Sequence, residues 1–467
     1  MKIKDLIRDD DIYPRQQLSQ KTISAYSESL KAGAKFPLIL TQEIKDNNGE
    51  KTILLDGVHR IEAYKLNGIE EIEVIHWKKE ILDKDKSLMD LRIKSIQENL
   101  KHGDRLGEND NKFNCSRMAE ADPKITLKYK DFAEIFGVTE MTVSDWIKAI
   151  RARQKASRDN LIYRLNMLGW TQREIAKQIG VDHSTISNIL LKSKELYKFT
   201  KTEYSQGKSI EEIAEFYGLD LTLTRAILLE GKTDEKRAEE LDINIRKFTV
   251  WNFSSCHPLM GRESFKGRIP GEIPFNAMHW FSKQGDLVVD PMVGSGTTLD
   301  AALLLGRRAY GYDINPREDR KDIIENDIWK GIPLKKQANF IFCNAPYWNM
   351  ISYGEGLSED KLSKFYDGMS KLAEECFKHI KQNGYVAILM GNQSWQKLLD
   401  QRKETKGLHR IEHVLTTIEL FLKQNFKLWW RIYCPLTTQE ANSWAESEWA
   451  LGKLADITRE LLVFKKT

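Results

Sequence analysis

Two stretches of this chain carry residues whose types and spacing suit chemistry. In the first, Gly285 to Asn315, a β-branched run from Leu287 to Val289 ends at Asp290-Pro291. The turn Gly294-Ser295-Gly296 follows, then Thr297, and a helical pattern runs from Thr298 to Leu305. Glycines let the turn form and let a ligand approach the backbone, and the N–H groups of a helix start favour an anionic group. Seventeen residues past Gly296, a strand pattern from Arg308 to Tyr312 delivers Asp313, whose carboxylate can hold both hydroxyls of a ribose. Taken alone, such a turn also fits nucleotide phosphates or simple packing. The second stretch follows Asp327 and an apolar strand, Asn339 to Cys343. It reads Asn344-Ala345-Pro346-Tyr347-Trp348 and falls at the carboxyl end of a predicted parallel strand, where such sheets place ligands. An ordinary strand-end turn is the alternative there.

The elements that must position these residues alternate strand and helix, which argues a doubly wound α/β sheet. Upstream, the segment Phe265 to Pro274 precedes an amphipathic stretch, Phe275 to Phe281. Downstream, Lys361 to His379 has helical spacing, Tyr385 to Met390 reads as a strand and Leu408 to Leu422 as a helix. Phe426 to Tyr433 and Glu460 to Lys465 alternate as a closing antiparallel pair, which Trp429 and Trp430 are expected to pack. Residues 231–250 are charged and read as a linker ending in a strand.

On these residues the chain resembles the S-adenosylmethionine-dependent amino-methyltransferases of DNA. Asp290 to Thr298 is similar to their D-P-F-x-G-S-G-T-T cofactor loop with Met292 for Phe, and Asn344 to Tyr347 to their (N/D/S)-P-P-(Y/F) tetrad with Ala345 for the first Pro. The resemblance covers about the last 220 residues. It implies S-adenosyl-L-methionine bound by Asp290, Pro291, Gly294, Ser295, Gly296, Thr297, Thr298 and Asp313, with Asp327 at the adenine amino group and Ile269 and Pro270 as neighbours. An exocyclic amine is a poor nucleophile because its lone pair is delocalised into the ring. The Asn344 side-chain oxygen and the Ala345 carbonyl supply two acceptors for its hydrogens, Pro346 is the tetrad's remaining proline, and Tyr347 would stack on a base taken out of the duplex. Asn in the first tetrad position favours adenine N6, with cytosine N4 as the alternative. A regulatory DNA-binding protein with an inactive methyltransferase domain is a rival reading, and methylation of RNA or of a protein glutamine is a third.

The N-terminal third alternates short apolar runs with turns, including the hairpin signal Asp46-Asn47-Asn48-Gly49. Asp56 to Ala63 lies at a strand-to-helix junction. It resembles the phosphate-binding turn of the ParB and sulfiredoxin superfamily, and Gln97 to His102 resembles that family's E-N-L-Q-R box. That resemblance implies a nucleotide phosphate at Gly57, His59 and Arg60; a capped, solvated helix start is the alternative.

Between 125 and 235 one pattern recurs three times: Phe132 to Trp146, Ile175 to Ile189 and Ile213 to Ile227, with Gly137, Gly180 and Gly218 in register. Each reads as helix, glycine turn and second helix, the helix-turn-helix arrangement. In the middle copy Thr171 and Glu174 form a capping box and Asp182 caps the second helix. His183, Ser184, Thr185, Ser187 and Asn188 then stand where base edges of DNA are read. The third copy reads as mainly structural, and helical bundles that bind protein are the alternative for all three. Residues 151–200 hold ten Lys and Arg against four Asp and Glu, a local basic excess that suits DNA although the whole chain carries only +4.

The chain has 467 residues, of which 41% are apolar and 30% charged. That size suggests about three domains. We place a ParB-like α+β domain at 1–105, an all-α helix-turn-helix module at 106–235, and at 236–467 a doubly wound, Rossmann-like methyltransferase whose mixed sheet ends in an antiparallel hairpin. No apolar run reaches the roughly 18 residues of a membrane span and the start lacks a signal-peptide core, so a cytoplasmic protein without a membrane partner is expected. Five scattered cysteines lack C-x-x-C spacing and imply neither a metal site nor a disulfide framework, and the absence of a Pro-Cys pair argues against a covalent cysteine route. The partners expected are double-stranded DNA, a nucleotide at the N-terminal domain and, as an option, a second copy in a homodimer. Deleting residues 1–240 is expected to abolish site choice on DNA while leaving cofactor binding.

Overall fold

The computed structural model describes residues 1–101, 105–346, 348, 361–394, 410–435, 446 and 458–467, so His102 and Tyr347 lie outside the described residues. Packing divides the chain into two units, Met1–Lys155 and Ala156–Thr467.

In the first unit, β1 (Leu6–Ile7), β2 (Ile39–Asp46), β3 (Gly49–Asp56), β4 (Val74–His76) and β5 (Leu82–Asp83) form one sheet. The expected hairpin joins β2 and β3: the Asp46 carboxylate accepts the Asn48 N–H at 2.8 Å, and Gly49 takes φ +107°. A second core gathers Ile96, Cys115, Met118, Phe132, Phe136, Val143 and Ile147. The first of the three repeated helix pairs, Tyr129–Phe136 and the start of Glu140–Met167, therefore packs with helices Lys84–Lys101 and Glu108–Glu120.

The second unit is built on a sheet of β6 (Leu287–Asp290), β7 (Arg308–Asp313), β8 (Ile323–Glu325), β9 (Ala338–Asn344), β10 (Ile380–Gly391), β13 (Phe426–Tyr433) and β14 (Arg459–Lys466), in the order β13-β14-β10-β9-β6-β7-β8. A separate short pair joins β11 (Gln393–Ser394) to β12 (Arg410–Ile411). Strands β6 to β10 run parallel, and β14 runs antiparallel to both β10 and β13, so the mixed sheet with its closing hairpin is present. The chain proceeds outward from β6 to β8 on one side and from β9 to β10 on the other. The carboxyl ends of β6 and β9 thus flank the point where strand order reverses, the place where a doubly wound sheet opens a crevice. Every residue of the helix Thr297–Leu305 is buried, because the sheet covers one side while helices Glu272–Phe281 and Leu221–Leu228 cover the other.

Packing departs from the sequence reading in several places. The boundary at 155/156 falls inside one helix, Glu140–Met167, instead of at 105/106 and 235/236. The second and third helix pairs share a core with the sheet: Ile162, Leu165, Leu168, Trp170, Ile175, Ile186 and Ala226 join Val288, Val289 and Leu303. Trp170 stacks on Tyr310 at 4.9 Å and its indole N–H donates to the Ala309 carbonyl at 3.0 Å. The expected linker holds a helix, Asp234–Glu240, fastened by Arg237 Nη1 to the Leu304 carbonyl at 2.6 Å and by the Asp234–Arg307 ion pair; in place of a strand there is a single bridge from Val250 to Tyr433. The helix read from 408 begins at His413, since Arg410 and Ile411 form β12. Trp429 and Trp430 are about half exposed, following a register shift between Leu428 and Trp430 that breaks the in–out alternation. No helix among the described residues is long and apolar enough to cross a membrane.

Candidate active site

A cleft of about 350 Å³ opens at the β6 and β9 ends, and it gathers most of the residues singled out in the sequence. Asp290, Pro291, Gly294, Ser295, Thr297, Thr298, Asp313, Asp327 and Ile269 line it, together with Asn344 and Pro346. The glycine turn and the tetrad, 50 residues apart between Gly294 and Asn344, thus face one space.

The turn is held by its own carboxylates. Asp290 is buried; it accepts the Thr298 hydroxyl at 2.6 Å and the Met292 N–H at 3.0 Å, closing strand onto helix. Burial pushes its carboxyl up to about 7, with the nearby Asp313 charge adding to the rise and the two hydrogen bonds opposing it. Asp313 accepts the Gly294 N–H at 2.8 Å and the Asn315 N–H at 3.1 Å, so it braces the turn as well as facing the cleft. Asp327 caps a short 3-10 turn by accepting the Trp329 N–H at 3.0 Å. Gly294 takes φ +52°, and a Cβ there would lie 3.1 Å from the Phe265 ring, which covers the turn.

Three of the expected residues are absent from the cleft lining. Gly296, at φ +85°, is absent from the cleft lining: a Cβ there would fall inside the Arg320 guanidinium, so this glycine makes room for an arginine. Pro270 is buried beside Ile269, and Ala345, 1% exposed, does not line the cleft. Asn344 ends β9 in register with Leu389 of β10, which fixes its place at the crevice. Tyr347 lies outside the described residues; next to it Trp348 is fully buried at φ +45°, a strained backbone for a bulky side chain.

Sequence reasoning overlooked Phe265, Arg317, Asn326 and Ile328 in the lining. Phe265 was within reach of it, because the flanking segment carries Ile269, but nothing in the spacing of the others marks them. Among the described residues no group of three His, Cys, Asp or Glu is placed to hold a metal.

The cleft suits a cofactor with an apolar, a hydroxylated and a charged part. Phe265, Ile269, Met292 and Ile328 offer apolar contact, the Asp313 carboxylate suits ribose hydroxyls, and the start of helix Thr297–Leu305 suits a carboxylate.

The other candidate residues lie elsewhere. In the second unit the middle pair, Gln172–Ile179 and His183–Ser205, has the expected capping box, with the Thr171 N–H donating to Glu174 at 2.7 Å and the Glu174 N–H to the Thr171 hydroxyl at 3.3 Å. Asp182 occupies the next cap position without a side-chain cap bond. His183, Ser184 and Asn188 are exposed; Thr185 and Ser187 are half-buried, and the Ser187 hydroxyl is spent on Gln172 at 2.7 Å. In the first unit Gly57, His59 and Arg60 line a cleft of about 330 Å³ with Arg15 and Lys94. They do not form a solvated helix start: His59 is buried and its Nε2 accepts the Ser19 N–H at 3.0 Å, while Arg60 donates to the Pro37 carbonyl and pairs with Asp56, both at 2.6 Å.

Comparison with known proteins adds to this geometry. The type II methyltransferase M.MjaI of Methanocaldococcus jannaschii is 41% identical over 90 residues, 19% of this chain and 28% of that one. The type II methyltransferase M.MthZI of Methanothermobacter thermautotrophicus is 35% identical over 68 residues, 15% and 19% of the two. The chain therefore spans less than a third of the length of these curated relatives. Among solved structures, TrmN from Thermus thermophilus is 15% identical, over 43% of this chain and 50% of that one, with a TM-score of 0.28. The model of the DNA methylase family matches residues 63–325, more than half of the chain. The protein belongs to that family, and S-adenosyl-L-methionine is its cofactor.

Proposed function

We propose that the protein methylates DNA at the exocyclic amine of a base taken out of the duplex, with adenine N6 as the first choice and cytosine N4 as the second. One observation carries this reading: Asn344 and Pro346 line the same cleft as Gly294, Ser295, Asp313 and Asp327. When bound, S-adenosylmethionine supplies an electrophilic methyl group. The chain's own part is to orient the amine. The Asn344 side-chain oxygen and the Ala345 carbonyl accept its two hydrogens and draw the nitrogen lone pair out of conjugation. Ala345 keeps the carbonyl that a proline would have presented and gives up only stiffness. Tyr347 is assigned to stacking on the base.

DNA recognition falls to the helix pair Gln172–Ile179 and His183–Ser205, supported by the exposure of His183, Ser184 and Asn188 and by the exposed Lys192, Lys194 and Lys198 further along. We place this reader in a helix-turn-helix module that is built into the methyltransferase unit. For the ParB-like domain, the basic side chains that face the cleft are Arg15, Arg60 and Lys94, and a nucleotide phosphate there would have to compete with Asp56 for Arg60 and with Glu98 for Lys94.

The test is transfer of radiolabelled methyl to duplex DNA, followed by digestion to nucleosides and identification of the modified base by mass. Asn344→Ala should lower the rate by about a hundred-fold or more with cofactor binding retained. Wild-type protein that binds cofactor yet labels no DNA, or an Asn344→Ala protein that labels DNA at the wild-type rate, would overturn the reading.

A further inference from the structure

Behind the cofactor turn lies a charged cluster that the sequence did not announce. Arg164, Asp300, Arg320 and Asp322 are each at most 8% exposed. Asp300 belongs to the helix that starts at the turn, Arg320 and Asp322 lie between β7 and β8, and Arg164 comes from the helix Glu140–Met167, ahead of the recognition pair. Each carboxylate meets both guanidinium groups. Asp300 pairs with Arg164, and with Arg320 at 3.1 Å; Asp322 pairs with Arg164 at 2.8 Å and with Arg320 at 2.8 Å. Two positive and two negative charges balance, which is the condition for keeping such groups out of water.

The cluster also grips the turn. Arg320 Nη1 donates to the Ser295 carbonyl at 2.7 Å and Nη2 to the Gly296 carbonyl at 3.4 Å. Asp300 accepts the Gly261 N–H at 2.8 Å, and Gly261 sits so close that a Cβ there would lie 2.5 Å from the Thr297 hydroxyl and 2.8 Å from that of Ser295. None of the four charged residues lines the cleft, while Ser295 and Thr297 do.

We infer that Arg320 is a positioning residue for S-adenosylmethionine and that Arg164 is its second anchor. By holding the Ser295 and Gly296 carbonyls on a group outside the cleft, Arg320 stops either peptide from turning a carbonyl toward a bound anion. The inference rests on the cleft being the cofactor site. It gives cofactor affinity a dependence on a side chain from outside the sheet, on the helix that leads to the proposed DNA reader.

Calorimetric titration of the full-length protein with S-adenosylmethionine tests it, with DNA affinity measured by fluorescence anisotropy. Arg320→Lys keeps the charge but replaces a five-donor fork with a single ammonium, which cannot serve two carboxylates and two carbonyls together. Losing the charge-assisted bonds should weaken cofactor binding by roughly ten- to a hundred-fold. KM for the cofactor should rise while DNA affinity, KM for DNA and kcat at saturating cofactor hold, and amide exchange at Ser295 to Thr298 should speed up. A folded Arg320→Lys protein with wild-type cofactor affinity would refute the inference. If that variant does not fold, Arg164→Lys replaces it: several-fold weaker cofactor binding supports the inference and unchanged binding overturns it. Wild-type protein that takes up no S-adenosylmethionine would instead sink the reading of the cleft, and this inference with it.

Discussion

Replacing Gly296 by alanine should be far more damaging than the same change at Gly294, although both glycines belong to one turn and both have positive φ. At either site an L side chain in the left-handed region costs about 1–2 kcal/mol. At Gly294, with φ +52°, the added methyl would meet the Phe265 ring at 3.1 Å, and that ring is only half-buried, so it can give way. At Gly296, with φ +85°, the methyl would enter the Arg320 guanidinium, which is 3% exposed and pinned between Asp300 and Asp322. Displacing one member of a buried ion pair costs about 3–5 kcal/mol. The two effects together put Gly296→Ala at roughly 4–7 kcal/mol and Gly294→Ala at roughly 1–2 kcal/mol. Urea unfolding read by hydrogen exchange in helix Thr297–Leu305 reports this unit separately from Met1–Lys155. Equal costs at the two sites, or a Gly296→Ala protein within about 1 kcal/mol of wild type, would show that Arg320 does not need the space and refute the reasoning.

Further expectations can be checked more briefly. A fragment of residues 156–467 should bind S-adenosylmethionine, whereas one of 241–467, expected from the sequence to keep cofactor binding, should instead aggregate, because it lacks Arg164, Trp170 and the Leu221–Leu228 helix that cover the sheet and the buried helix; size-exclusion chromatography and calorimetry distinguish the two. His413 is fully buried between the Tyr366 hydroxyl at 3.0 Å and Gln393 Oε1 at 2.9 Å, and burial lowers its pKa to about 4. The unfolded chain takes up that proton first, so stability present above the ordinary histidine value near 6.5 should be lost as pH falls toward 4. The loss is up to roughly 3 kcal/mol, and a His413→Gln protein whose stability kept the same slope would contradict the assignment. Substituting His183 and Asn188 together by alanine should relax site choice at a cost of about 1–3 kcal/mol per lost base contact while sparing cofactor affinity, measured by anisotropy on cognate and scrambled duplexes.

Local chemistry made much of the site legible without coordinates. A strand that ends in Asp290, a turn that needs glycines and an acid at the end of the next strand are all written in consecutive residues, and β6, the helix Thr297–Leu305 and β7 form where that pattern places them. The capping box at Thr171 and the hairpin at Asp46 to Gly49 were readable for the same reason: each is made by residues a few positions apart. Tertiary structure decided what depends on distant partners. Only packing sends the first helix pair to one core and the second and third to another, because apolar spacing states that a face must be covered and not by what. Only the fold shows that Gly296 makes room for Arg320 and that His59 is a buried acceptor. The Arg164–Asp322 pair joins residues 158 positions apart. A charged residue in a sequence reads as surface; its burial follows from opposite charges that the chain brings to it, and that balance exists only once the chain has folded.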